Sequence, residues 1–295
     1  MTSIWPTFAS VSVDERHRIG GSTHLAGVIG WPIDHSLSPV IHNAAYEALG
    51  LDWVYVALPV AQGAVRAALE GLEALGFAGA NVTMPHKETV AATLEALSDD
   101  AALLRAVNTI HATPAGLVGH NTDAPGFGRF LERDAGFDAA GTSALVFGAG
   151  GAARACALAI ARAGAARIVV ALREPVRASA LIATLDGFDT TVEVVSFADA
   201  AQARPDLIVN ATPLGAHGEA LPLPPLGASI LAVDLLYRPA STPLQTDVRD
   251  AGGVAFGGLG LLLHQAALSI ELWTGQPAPL DATSAAAIGA IGAGA

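Results

Sequence analysis

Between an apolar run, Ala144-Leu145-Val146-Phe147, and a stretch of small residues at helical spacing, Ala152 to Ala163, lies the hexapeptide Gly148-Ala149-Gly150-Gly151-Ala152-Ala153. It fits the pattern G-x-G-x-x-G/A, with Ala153 in the third small position. The first glycine permits a tight turn and the second lets a pyrophosphate approach the backbone. The third small residue lets the helix pack closely on the strand. Free N–H groups at the helix start then bind phosphate, aided by the helix dipole. Small residues also serve plain helix–sheet packing. The preceding strand, the helix ended by Gly164 and the next strand, Ile168 to Leu172, favour a dinucleotide site.

The same rhythm of short apolar runs and helical segments fills the rest of the chain. Leu25-Ala26-Gly27-Val28-Ile29 reads as a buried strand ended by Gly30-Trp31-Pro32. Ser38 is then expected as an N-cap with Pro39 at the first helical position, and Gly50 closes that helix. Strands follow at Trp53 to Leu58 and Phe77 to Val82 around a helix at 62–75. Further strands are expected at Leu207 to Val209 and Ile230 to Val233, with helices at 259–273 and 281–290. Such alternation means βαβ units and mostly parallel sheets. The first twenty residues carry no clear period and are expected to be irregular.

The chain has 295 residues, room for two domains at about 100–200 residues each. Its 14% charged residues and 52% hydrophobic ones exclude a disordered protein. A net charge of −12 argues against a nucleic-acid binder, which needs a basic face. The lone cysteine, Cys156, excludes a disulfide scaffold and suits a reducing compartment. The uncharged stretch Ala251–Ile270 is broken by five glycines and His264-Gln265, so it reads poorly as a membrane span. Asp14-Glu15-Arg16-His17-Arg18 is merely polar, and a cytoplasmic protein is expected. The nine histidines show no ligand spacing such as H-E-x-x-H, so no metal is expected.

Three first-half segments carry polar residues that a bare scaffold does not need. Ser36 and Ser38 present two hydroxyls near a helix start, which suits a carboxylate, although Ser38 as a simple cap explains it equally. Asn81 and Thr83 alternate onto one face at the exit of a strand, and the Pro85 turn projects Lys87 beside them. Asn108 and Asn121-Thr122-Asp123 flank two further short strands. At the dinucleotide end, Arg173 and Arg177 suit a 2′-phosphate and hence NADP. Glu174 leaves NAD open, since it can pair with Arg177 or repel that phosphate.

Together these segments resemble the shikimate dehydrogenase family. The resemblance rests on Gly-Val-Ile-Gly-Trp-Pro-Ile-Asp-His-Ser-Leu-Ser-Pro (27–39), Asn-Val-Thr-Met-Pro-His-Lys (81–87), Ala-Val-Asn-Thr (106–109) and Asn-Thr-Asp (121–123). The second half adds Gly-Ala-Gly-Gly-Ala (148–152), Asn-Ala-Thr-Pro-Leu-Gly (210–215), Val-Asp-Leu-Leu-Tyr (233–237) and Gly-Leu-Gly-Leu-Leu-Leu-His-Gln-Ala (258–266). It implies an α/β fold of two domains: an open, mostly parallel substrate domain of residues 1–125 plus 258–295, and a Rossmann-like dinucleotide domain of 126–257. It also implies reversible NADPH-dependent reduction of 3-dehydroshikimate to shikimate, a step toward chorismate and the aromatic amino acids.

By the same resemblance, Lys87 looks like the catalytic lysine and Asp123 its partner. Ser36 and Ser38 look like the substrate-carboxylate pair. Asn81, Thr83, Asn108 and Gln265 resemble the ring-hydroxyl ligands, with Tyr237 lining the cleft. Gly148, Ala149, Gly150, Gly151 and Ala152 would hold the cofactor's diphosphate, and Thr212, Leu235 and Gly258 would lie along its nicotinamide end. Asp99 corresponds to an acidic position near the cofactor, with a helix cap as the plain alternative. His86 and His120 depart from the family pattern and are expected to face solvent; Leu172 and Glu174 depart at the cofactor end. Rival readings are an NAD-dependent quinate/shikimate dehydrogenase, an aminoshikimate dehydrogenase and, remotely, a non-catalytic ligand-sensing paralogue. Nothing in the sequence separates a monomer from a homodimer.

Overall fold

In the computed structural model, which describes residues 19–293, twelve strands divide into two six-stranded sheets. The expectation of an irregular start falls on residues 1–18, outside the described ones. The first sheet takes its strands from the N-terminal part: β1 (His24–Gly30), β2 (Trp53–Pro59), β3 (Phe77–Val82), β4 (Ala96–Leu97), β5 (Thr109–Thr113) and β6 (Gly116–His120). Their order is β2-β1-β3-β5-β6-β4, and β5 alone runs against the rest. The reversal follows from the tight hairpin β5–β6, which leaves no room for a crossover helix. Helices α1 (Ser38–Ala48), α2 (Val65–Ala74), α3 (Lys87–Thr93) and α4 (Asp99–Leu104) make the connections, and α5 (Asp123–Arg133) leads out of the sheet.

The second sheet holds β7 (Ser143–Phe147), β8 (Arg167–Leu172), β9 (Thr191–Ser196), β10 (Leu207–Asn210), β11 (Leu231–Asp234) and β12 (Val254–Phe256). Its order is β12-β11-β10-β7-β8-β9, all parallel. Helices α6 (Gly151–Arg162), α7 (Ser179–Thr184) and α8 (Pro243–Asp250) flank it. Both faces are covered, which is why β7 reads as an unbroken apolar run. Ala144 and Val146 pack into one core with Leu158 and Ile160, while Leu145 and Phe147 face a second with Leu244 and Val248.

After β12 the chain returns as α9 (Leu259–Thr274), which packs on the first sheet, and α10 (Leu280–Ala293), which packs against α1. Ile270 and Trp273 of α9 join Val28, Tyr46 and Tyr55 in its core. Helices α5 and α9 approach closely at Gly126, where a Cβ would come within 2.8 Å of the Gln265 backbone nitrogen. Arg129 and Glu271 then clamp the pair through an ion pair at 3.0 Å.

One helix start differs from expectation. Helix α1 begins at Ser38 with Leu37 as its cap and no side-chain capping bond. Instead the Ser38 N–H donates to the Ser36 hydroxyl at 3.2 Å, because the turn places that oxygen two residues back over the free amide. Ser38 therefore has no capping duty.

Candidate active site

In an open parallel sheet a ligand sits beyond the carboxyl ends of the strands, where the strand order reverses. Here the first sheet reverses between β1 and β3, and the second between β7 and β10. The segment after β1 carries Ser36 and Ser38, and the segment after β3 carries Thr83 and Lys87. The turn after β7 is the glycine hexapeptide, and Thr212 follows β10.

A cavity of about 220 Å³ joins these ends. Ser36, Ser38, Asn81, Thr83, Lys87, Asn108 and Asp123 line it from the first half, while Ala152, Leu235, Tyr237, Gly258 and Gln265 come from later in the chain. Lys87 Nζ donates to Asp123 Oδ2 at 2.6 Å. Asp123 is only 7% exposed and opens α5, where the helix dipole favours a negative charge. Its second oxygen accepts from Asn108 Nδ2 at 2.8 Å, and its own N–H donates to Asn121 Oδ1 at 3.0 Å. Lys87 is thus held on the cavity wall by a residue fixed both at its carboxylate, by Asn108, and at its backbone, by Asn121.

Behind the cavity the polar groups satisfy one another, as buried polar groups must. Asn81 Nδ2 donates to Thr109 Oγ1 and Ser269 Oγ, each at 3.0 Å, and Asn81 Oδ1 accepts from the Tyr55 hydroxyl at 2.7 Å. Asn81 is therefore braced from three elements as well as lining the cavity. Gln265 anchors to Leu262 O at 2.8 Å and meets Asn108 Nδ2 at 3.4 Å. Tyr55 and Ser269 were not foreseen, since nothing local marks them and their partners lie in other elements; Thr109 belongs to the Ala-Val-Asn-Thr segment but was given no role of its own.

A second cavity, of about 640 Å³, is lined by Gly148, Ala149, Gly150, Arg173, Glu174, Arg177 and Thr212, among others. Gly148 has φ +107°, and a Cβ there would press within 3.1 Å of Ala211 O, so only glycine fits. Helix α6 starts at Gly151 with no side chain capping its free N–H groups. A Cβ at Gly150 or Gly151 would meet nothing within 4 Å, so a diphosphate can approach those amides. Glu174 accepts from Arg177 Nε at 3.0 Å, and Arg173 lies 6.0 Å over the Phe197 ring. These residues fit a dinucleotide with a phosphate near two guanidinium groups.

Asp234 ties the two nucleotide-side loops together. It accepts from Asn210 Nδ2, the Leu236 N–H and the Thr242 hydroxyl, and burial pushes its carboxyl upward. Asn210 in turn accepts from the Thr212 hydroxyl and N–H.

Three expectations need correction. Asp99 lines neither cavity; it is the first residue of α4, and Ser98, not Asp99, is the cap. His86 is 2% exposed, not solvent-facing, because its Nε2 meets Val60 O at 2.6 Å under the turn. His120 is half-buried beside His111, and burial lowers its pKa. Among the described residues no cluster of His, Cys, Asp and Glu suits a metal, and no helix is long and apolar enough to cross a membrane.

Known proteins bear on this geometry. The family model described as "Shikimate dehydrogenase substrate binding domain" matches residues 28–110, and that described as "Shikimate 5'-dehydrogenase C-terminal domain" matches 258–288. A shikimate dehydrogenase (NADP(+)) of Rubrobacter xylanophilus is 45% identical over 265 residues, spanning 88% of this chain and 93% of its own. Among solved structures, shikimate 5-dehydrogenase of Thermus thermophilus in complex with NADP(H) and shikimate superposes with a TM-score of 0.81. It is 37% identical, with 91% of this chain and 100% of the other covered. Shikimate 5-dehydrogenase of Listeria monocytogenes in complex with shikimate and NAD gives 0.85 at 34% identity, covering 91% and 98%. By sequence along nearly its whole length and by the architecture just described, this chain belongs to the shikimate dehydrogenase family.

Proposed function

We propose that this chain is an NADP-dependent shikimate dehydrogenase, reducing 3-dehydroshikimate reversibly to shikimate. The observation that carries the reading is the Lys87–Asp123 pair at 2.6 Å, set in a cavity lined from both halves of the chain. Residues 1–125 with 258–295 form the substrate lobe and 126–257 the nucleotide lobe. In support, each sheet draws all its strands from one of these segments. The lone reduced thiol and the pathway to chorismate suit the cytoplasm.

The hydroxyls of Ser36 and Ser38, at the start of α1, hold the substrate carboxylate. Thr83, Asn108 and Gln265 hold the ring hydroxyls, with Asn81 as a braced wall and Tyr237 closing the cleft. In the reducing direction the Lys87 ammonium donates to the ketone oxygen, stabilises the negative charge growing there and delivers a proton. Asp123, gripped by Asn108, keeps Nζ aimed at that oxygen. When bound, NADPH supplies the hydride to the carbon that bears the ketone. Gly148 to Ala152 bind its diphosphate, Arg173 and Arg177 its 2′-phosphate, and Thr212, Leu235 and Gly258 border its nicotinamide end.

A second reading, the NAD-dependent quinate/shikimate enzyme, is kept alive by Glu174, which lines the same cavity as the arginines. Initial rates with shikimate and quinate, each with NADP⁺ and NAD⁺, separate the two. Shikimate with NADP⁺ is expected to dominate. Replacing Lys87 by alanine is expected to lower kcat by about 10²–10⁴-fold. A Lys87→Ala enzyme within a few-fold of wild type sinks the mechanism.

A further inference from the structure

Helix α3 opens with Lys87, so whatever fixes its first turn aims the ammonium. Three contacts do so. His86 Nε2 meets Val60 O at 2.6 Å, and Lys87 O accepts from the Val107 N–H at 2.9 Å. Both partners belong to the substrate lobe. The third contact crosses to the nucleotide lobe: Glu88 Oε1 accepts from Arg154 Nη2 at 2.7 Å.

Arg154 is an expensive residue for its position. It is only 6% exposed, and its Nε has no hydrogen-bond partner. It is the fourth residue of α6, close to the positive end of the helix dipole, where a cation is disfavoured. Burying a guanidinium there costs desolvation that one ion pair with a largely exposed Glu88 repays poorly. Packing alone asks for a small residue at this site, as the alanines on either side show. The pair also lies where the chemistry needs a link. Glu88 and Arg154 together line both the 640 Å³ nucleotide cavity and a 600 Å³ cleft between α3 and α4 on one side and α6 and α7 on the other. Eight residues on, Arg162 of α6 pairs with Asp100 of α4, so the same helix is clipped again to the substrate lobe.

We infer that Glu88 and Arg154 are positioning residues, a strut across the inter-lobe cleft that holds Lys87 in register with a dinucleotide seated on the α6 N-terminus. This rests on the dehydrogenase reading above. The strut joins the second residue of α3 to the fourth of α6, so loss of the ion pair frees the two helix starts to shift against each other. Lys87 and the hydride-bearing face then lose alignment while each half-site keeps its own ligands.

The test uses the whole enzyme with shikimate and NADP⁺, comparing wild type with Glu88→Gln, Arg154→Lys, Arg154→Gln, the Glu88→Gln/Arg154→Gln double variant and Lys87→Ala. Glu88→Gln keeps the exposed side chain's shape, so folding and shikimate KM are expected to stay near wild type. Its kcat is expected to fall about tenfold to a hundredfold, the scale of a small misplacement of reacting groups. The primary deuterium isotope effect, with shikimate deuterated at the oxidised carbon, is expected to rise as the chemical step becomes limiting. A merely structural loss lowers the active fraction and leaves that isotope effect unmoved. Arg154→Lys is expected to recover part of the kcat lost in Arg154→Gln, and the double variant to be no worse than Arg154→Gln, because two ends of one strut do not add. Unchanged kcat and isotope effect in Glu88→Gln, with Lys87→Ala inactive, overturn the strut and leave the dehydrogenase reading standing. A wild type that fails to oxidise shikimate overturns both, whereas an active Lys87→Ala overturns the strut and the role given to Lys87 and leaves the dehydrogenase reading standing.

Discussion

Acidification is expected to weaken this fold through His42, a residue of α1 that lines neither the substrate-side nor the nucleotide cavity. Its ring is fully buried, stacked on Tyr55 with centroids 4.1 Å apart and bordered by Tyr46 and Trp273. Neither ring nitrogen has a hydrogen-bond partner. Burial alone pushes the imidazole from its ordinary 6.5 down to about 3, because a charged ring has no water or counter-charge there. The folded protein therefore keeps His42 neutral while the unfolded chain takes up a proton below about pH 6.5. The residue's share of stability is intact above that pH and drains away as pH falls toward 3. At pH 5 the loss is about 2 kcal/mol. For a lobe of this size that lowers Tm by about 4–8 °C.

His42→Phe keeps a ring in the stack and removes the proton site. Thermal unfolding can be followed by tryptophan fluorescence, since Trp31 follows β1, Trp53 opens β2 and Trp273 packs into the core of the first sheet. Between pH 7.5 and pH 5 the wild-type Tm is expected to fall by about 4–8 °C more than that of His42→Phe, since every other titration is shared. An equal fall in both proteins refutes the reasoning.

Two further expectations concern other parts of the molecule. Replacing Arg173 and Arg177 together by alanine should raise KM for NADP⁺ by about ten- to a hundredfold, the scale of lost hydrogen bonds to a charged phosphate, with KM for NAD⁺ unchanged. Equal shifts for both cofactors would mean that the arginines serve the diphosphate or nothing. Cys156 is fully buried in α6, and burial pushes its thiol well up, so it should resist alkylation at pH 8 in the native enzyme and react at once in denaturant; rapid native labelling, followed by mass spectrometry, would contradict that packing.

Much of the fold was legible because it depends on neighbours a few residues away. Phe77–Val82 is a strand with the bounds read from its apolar run, and the helix after Gly148 starts within one residue of its expected place. The glycine hexapeptide carried its own context, strand before and helix after, and Gly50 ended its helix as turn chemistry requires, with φ +65°. The misreadings share a cause. Ser38 looked like a cap, yet Ser36 supplies the oxygen. His86, in a polar string between Pro85 and Lys87, looked exposed, yet it plugs the carbonyl of Val60 from another segment.

The candidate site divides along the same line. Residue types and their spacing alone marked Lys87, Asp123, the serine pair and the glycine turn as chemistry-bearing, and the order of motifs named the family. The sequence could not state that Asn81 is braced by Tyr55, Thr109 and Ser269, or that Asp234 joins the loops of Thr212 and Leu236. Nor could it bring Glu88 against Arg154. Periodicity and turn preference are energies of adjacent residues, so one dimension suffices for them. Partners separated by dozens of residues meet only after strand order and helix packing have been chosen, and that choice belongs to the tertiary structure.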